Sequence, residues 1–188
     1  MEIYLIRHPR PDIPNDVCYG RSDVPLSRQW AEECKSVLGR LPRVLDAVFT
    51  SPLSRCAMFA KQIQANRHFV DRRLLELDFG LWESKRWKEI DQKDLSEWMK
   101  DYVNCKPPGG ESFADLHKRT NDFLGELTKC DIRRVAVVTH AGVIRSLIVR
   151  ILDIPLTSAF RVEIDCASIS KIIVDPAASK VCFLNIWK

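Results

Sequence analysis

The chain has 188 residues, 46% hydrophobic and 29% charged, with a formal net charge of +4, the makeup of one medium-sized globular domain with a substantial core. That positive surplus is too small and dispersed for a nucleic-acid footprint, and no stretch approaches the roughly 18 apolar residues of a spanning helix; neither nucleic acid nor membrane is an expected partner. Glu2, Arg7 and His8 interrupt the first residues before a leader-length apolar run, and seven scattered cysteines without a Cys-x-x-Cys pair argue for reduced thiols in the cytoplasm and no bound metal.

In chain order, residues 2–6 read as a buried strand. Residues 28–41 place Trp30, Cys34, Val37, Leu38 and Leu41 at helical spacing. Val44 to Thr50 reads as a short strand. Ser51-Pro52 then signals a helix, with serine as N-cap and proline at the first helical position. Residues 82–104, where Trp82, Trp87 and Trp98 stand among charges, suggest short helices laid over the core, a small helical cap drawn from about 82–112. The loop Lys106-Pro107-Pro108-Gly109-Gly110 leads to Ser112, a capping residue three positions before Asp115. Phe113, Leu116, Thr120, Phe123, Leu124 and Leu127 form the stripe of the next helix. A strand over 134–139, a helix over 142–152 and two strand-like runs, 167–175 and 181–187, complete the chain. Strands alternating with helices predict one α/β domain over 1–188: a three-layer sandwich with a mostly parallel twisted sheet, one antiparallel edge strand, and helices on both faces.

Two of these strands end in histidine, Ile3-Tyr4-Leu5-Ile6-Arg7-His8 and Val135-Ala136-Val137-Val138-Thr139-His140. Side chains at the carboxyl ends of parallel strands face the crevice where ligands bind. Arg55, just after the second strand, and Glu76, within Leu74-Leu75-Glu76-Leu77-Asp78-Phe79-Gly80, join the same rim. His140-Ala141-Gly142 enters a helix N-terminus, whose free N–H groups attract anions. This set suits phosphoryl transfer. Arg7 and Arg55 can neutralise a phosphate dianion as bidentate donors, and a neutral imidazole can attack phosphorus, splitting hydrolysis into transfer and a later attack by water. Either histidine can serve; Arg7 beside it favours His8, and His140 is then placed to donate to the phosphoryl oxygens. The leaving alkoxide needs a proton, which Glu76 can donate if apolar neighbours raise its pKa toward neutrality. Cys34-Lys35-Ser36-Val37-Leu38-Gly39-Arg40 mimics the Cys-x5-Arg spacing of cysteine-dependent phosphatases, but it falls on a helix stripe rather than in a phosphate-cradling loop.

With these residues in place, the chain resembles the histidine phosphatase (phosphoglycerate mutase-like) superfamily. Leu5-Ile6-Arg7-His8, Thr50-Ser51-Pro52-Leu53-Ser54-Arg55, Leu75-Glu76-Leu77-Asp78-Phe79-Gly80 and Thr139-His140-Ala141-Gly142 stand in that family's order and spacing. The resemblance implies His8 as the phosphorylated nucleophile, Arg7, Arg55 and His140 as phosphate ligands, Glu76 as proton donor, and no cofactor. Cys18-Tyr19-Gly20-Arg21-Ser22-Asp23-Val24-Pro25-Leu26, Asp78-Phe79-Gly80-Leu81-Trp82-Glu83 and Pro108-Gly109-Gly110-Glu111-Ser112 are similar to α-ribazole phosphatases of the cobalamin nucleotide-loop pathway, which act on α-ribazole 5′-phosphate or adenosylcobalamin 5′-phosphate. That likeness implies a small phosphorylated substrate and a monomer or homodimer, with Arg10, Tyr19, Gly20, Arg21, Glu111, Ala141 and Gly142 as candidate substrate contacts. A broad sugar-phosphate or nucleotide phosphatase, a mutase, and a non-catalytic phosphate-binding module are the competing readings. Two positions depart from the family. Pro9 follows the nucleophile where glycine is usual, removing an N–H that phosphate could have used, with Arg10 a possible substitute. Ser84 replaces the glycine of Trp-Glu-Gly, a change expected to matter little.

Overall fold

The computed structural model describes residues 1–187. Its middle layer is a six-stranded sheet in the order β3-β2-β4-β1-β5-β6. Strands β1 (Glu2–Arg7), β2 (Ala47–Thr50), β3 (His68–Val70) and β4 (Arg134–Thr139) run parallel; β5 (Ile169–Ile173) runs against β1, and β6 (Lys180–Ile186) runs against β5. The one reversed strand therefore lies one place in from the edge, because the closing hairpin makes β6 the outermost strand. β3, absent from the sequence reading, is an exposed three-residue edge, too short to show a period.

Alternation along the strands sorts the side chains into two cores. Ile3, Leu5, Val135 and Val137 pack with helices α4 (Phe113–Leu127) and α5 (Ala141–Leu152). Tyr4, Ile6, Ala136 and Val138 pack on the opposite face with helices α1 (Trp30–Leu38) and α2 (Ser54–Ala60). The stripe of α4 is buried as its spacing predicts, and Ser112 and Asp115 form a reciprocal capping box. α2 departs from its expected start. It opens at Ser54 with Leu53 as cap residue and no cap bond from its own side chain. Asp23, from a distant loop, accepts from the Ser54 N–H and hydroxyl, each at 2.8 Å, while the Ser51 hydroxyl accepts from the Leu53 N–H only at 3.4 Å.

Residues 80–104 contribute 3₁₀ turns and helix α3 (Gln92–Lys100). Trp82 and Ile90 bury against Cys18, flanked by Phe79, Trp87, Leu95 and Trp98. The three tryptophans thus serve as cover, and they fasten the 18–22 loop to the molecule. Ser84 corrects one expectation: its φ is +64°, a left-handed conformation that glycine adopts freely and serine does not.

Candidate active site

Parallel register brings the two histidines together. Arg7 pairs with Thr139 across β1 and β4, so the residues that follow, His8 and His140, leave adjacent strands side by side. Their ring centroids lie 5.1 Å apart at an interplanar angle of 62°. β2 lies on the other side of β4 and delivers Ser51, whose hydroxyl meets His140 Nε2 at 2.8 Å. That contact corrects the reading of Ser51 as a helix cap. It is a site residue, signalled only by its place directly after a strand end.

His8 has one defined tautomer. A carbonyl only accepts, so the 2.7 Å contact to Pro9 O means that Nδ1 carries the proton. The lone pair is left on Nε2, which has no protein partner among the described residues. Pro9, suspected for its missing N–H, thus supplies the acceptor that orients the His8 ring. Both rings are buried. Burial, then the charges of Arg55 and Arg7, holds His8 well below the usual imidazole range. Burial, then His8, Arg55 and Arg7, does the same for His140.

The guanidinium groups are held from behind. Arg7 Nη1 donates to Ile164 O at 2.6 Å. Arg55, fully buried, donates through Nη1 to Ser22 O and through Nη2 to Gly20 O, at 2.7 and 2.6 Å. The Nε of each is buried without a partner, the kind of orphaned donor that an anion satisfies. Tyr19 lays its ring 5.5 Å from the Arg55 guanidinium carbon. Gly20 is required by space: a Cβ there would fall 1.9 Å from Leu77 O.

Glu76 sits at the α5 N-terminus, accepting from the Gly142 N–H at 3.1 Å and the Leu77 N–H at 2.9 Å. Gly142 was expected to face the substrate, but its N–H holds Glu76 instead. A Cβ on Gly142 would lie 2.3 Å from Glu76 Oε1, so glycine permits the close approach. Ala141 is buried in the core beside it. Arg119, unnoticed in the sequence, supports the segment by donating to the carbonyls of Arg73, Leu75 and Glu76.

Arg21 and Glu111, expected to touch substrate, are paired with each other at 3.0 Å. Arg21 also meets Asp78 at 3.0 Å, and Glu111 meets Arg119. Both thus brace the loops around the site, while Arg21 Nε, like that of Arg7 and Arg55, is buried without a partner. Arg10 lies at the rim, largely exposed, its N–H donating to Glu33 at 2.7 Å. Glu83 was unrecognised as a support. Its carboxylate accepts from the N–H groups of Gly20, Arg21, Ser22 and Phe79 and from the Ser22 hydroxyl, organising the loop whose carbonyls hold Arg55. The Cys34 decoy fails in space as well: burial, with Glu33 next, pushes its thiol up to about 12, where no nucleophilic thiolate forms at neutral pH.

Known proteins share this fold. The chain is 27% identical to an adenosylcobalamin/alpha-ribazole phosphatase of Escherichia coli, over 98% of this chain and 96% of that one. It is 26% identical to a putative phosphoserine phosphatase 2 of Hydrogenobacter thermophilus, over 97% and 94%. The crystal structure of the alpha-ribazole phosphatase from Shigella flexneri superimposes with a TM-score of 0.88 at 24% identity, covering 99% of this chain and 96% of that one. Bacillus stearothermophilus YhfR gives 0.85 at 26% identity, covering 96% and 95%. With residues 3–186 matched by the model of the Histidine phosphatase superfamily (branch 1), the chain belongs to that superfamily of metal-independent phosphomonoester hydrolases.

Proposed function

We propose that this phosphatase works through a phosphohistidine at His8 and that its substrate is α-ribazole 5′-phosphate or adenosylcobalamin 5′-phosphate. The observation that carries the mechanism is the buried His8 ring, kept neutral, with Nδ1–H tied to Pro9 O and Nε2 unpartnered. Nε2 attacks phosphorus while the bond from phosphorus to the ester oxygen breaks. Glu76 delivers the proton that the departing alkoxide needs. Water then attacks the phosphohistidine, the P–N bond breaks, and Glu76 takes the water's proton, leaving inorganic phosphate and the starting histidine. Arg7 and Arg55 stabilise the oxygens through both transfers, and His140, backed by Ser51, lies on the same side as the phosphoryl group.

The finer substrate assignment draws on two supports. Relatives named as α-ribazole phosphatases match the chain end to end. Beside Arg7 and Tyr19 a cavity of about 450 Å³ opens, walled by Pro14 and Trp187 and carrying Asn15 and Asp165, a mixture of flat apolar surface and polar atoms that suits a ring-bearing alcohol. The test is a set of specificity constants for α-ribazole 5′-phosphate beside sugar phosphates and O-phosphoserine, with and without EDTA. A clear preference for the riboside is expected; a preference for phosphoserine would refute the substrate. For the mechanism, an acid-labile, base-stable label on His8 is expected, and His8→Ala is expected to abolish turnover. Retention of most activity in that variant would refute it.

A further inference from the structure

Asp165 enters this cavity one residue beyond Ile164, whose carbonyl holds Arg7. Its environment has the marks of a built site. Between the pairs Ile169↔Ile186 and Lys171↔Phe183, two residues of β6, Leu184 and Asn185, oppose the single Ser170 of β5. This is a bulge, a device that redirects a side chain. Asn185 adopts φ +53° there, an uncommon conformation for a residue with a side chain. Its backbone N–H donates to Ser170 Oγ at 3.0 Å. The redirected amide grips Asp165 twice: Oδ1 accepts from the Asp165 N–H at 2.6 Å, and Nδ2 donates to Asp165 Oδ2 at 2.8 Å. Asp165 enters none of the ion pairs among the described residues. A bulge thus fixes a carboxylate in a pocket with no ion-pair partner among the described residues.

We propose that Asp165 reads hydroxyl groups on the leaving alcohol, so that of the two candidate substrates the enzyme selects α-ribazole 5′-phosphate, whose ribose carries a free vicinal diol. The proposal rests on the phosphatase reading above. A carboxylate oxygen accepts from hydroxyls and repels a carboxylate on the leaving group. An ammonium would be drawn to Asp165 but would have to lie beside the guanidinium groups of Arg7 and Arg10 on the same cavity wall, whereas a neutral diol meets no such repulsion. Asn15, on the same wall, offers both a donor and acceptor for the remaining hydroxyl valences.

The test compares kcat/KM for α-ribazole 5′-phosphate and its 2′,3′-dideoxy counterpart. The wild type is expected to favour the diol by roughly ten- to a hundredfold, the range of a hydrogen bond to a charged group. Asp165→Ala is expected to bring the ratio near unity. Asn185→Gly, which tolerates the positive φ while removing the grip, is expected to lower it part of the way and keeps the test open should Asp165→Ala not fold. Turnover without discrimination in the wild type, an unchanged ratio in both variants, or a loss confined to O-phosphoserine would overturn the proposal. Absence of turnover with every ester, together with no label on His8, would instead overturn the phosphatase reading on which it stands.

Discussion

Glu83 touches no reacting atom in the proposed mechanism, yet its replacement by glutamine is expected to cripple the phosphate site. Burial opposes its charge, but bonds from Ser22, Gly20 and Arg21 outweigh it and hold the carboxyl below its ordinary range. Four backbone N–H groups and one hydroxyl converge on two oxygens. Glutamine keeps one of those oxygens and turns the other into an NH₂ that faces donors. Losing about two charge-assisted bonds at 1.5–3 kcal/mol each costs about 3–6 kcal/mol locally, enough to release the 20–22 loop rather than leave its N–H groups buried and bare. The carbonyls of Gly20 and Ser22 then no longer hold Arg55. A misaimed charge-stabilising donor lowers kcat by about 10²–10³. The assay measures kcat, KM and competitive inhibition by inorganic phosphate well below the melting temperature. Weaker phosphate inhibition alongside the lost turnover marks a positioning role, whereas a lowered melting temperature with wild-type phosphate affinity marks a merely structural one. Wild-type kcat and phosphate affinity in Glu83→Gln would refute the chain of contacts from Glu83 to Arg55.

Acid should destabilise the fold through its two buried imidazoles. The unfolded chain protonates them near 6.5 while the folded one resists, so the unfolded state binds more protons and stability falls as pH drops below about 6.5. The slope reaches about 1.4 kcal/mol per pH unit for each histidine, readable from urea midpoints; a flat profile across that window, or an unaltered slope in His8→Gln, would contradict it. In the proposed mechanism kcat/KM needs a neutral His8, and because the folded ring resists protonation its acid limb should lie well below 6.5, beneath the limb seen in stability. Ser84→Gly should stabilise the protein by about 1 kcal/mol through relief of the left-handed serine, a rise of about 2–4 °C in Tm for a chain of this size. A fall in Tm would show that the serine side chain contributes more than its backbone costs.

Much of the site was legible because strand ends announce it. Arg7, His8 and His140 follow long apolar runs, and parallel pairing carries such residues to one rim whatever the loops do. The helix stripe from Phe113 to Leu127 was legible for a similar reason, since period and capping agree over fifteen residues. What escaped depended on contacts between segments far apart in sequence. Ser51 looked like a cap because serine before proline usually is one; Asp23, 31 positions from Ser54, took that task. Arg21 and Glu111, 90 positions apart, looked like free charges, and nothing local shows that each satisfies the other. Ser84 looked harmless because a backbone angle is invisible in a residue type. Pro9 misled in the opposite direction: its missing N–H drew the eye from the carbonyl that fixes the His8 ring.

The same arrangement solves two problems that appear opposed. A nucleophilic imidazole must stay unprotonated, and a phosphate dianion must be drawn in. Guanidinium groups beside a buried ring do both, because each positive charge that lowers the proton affinity of His8 also attracts the ester. Once the dianion arrives, its charge offsets the arginines, and the imidazole becomes easier to render cationic just as its nitrogen bonds to phosphorus. In the proposed mechanism a single cluster of charges thus keeps the free ring unprotonated and then, offset by the dianion, accommodates the positive character of the phosphohistidine. Replacing Arg7 or Arg55 by a neutral residue would therefore weaken phosphate binding and raise the pKa of His8 together, and the two effects should be inseparable across any series of such variants.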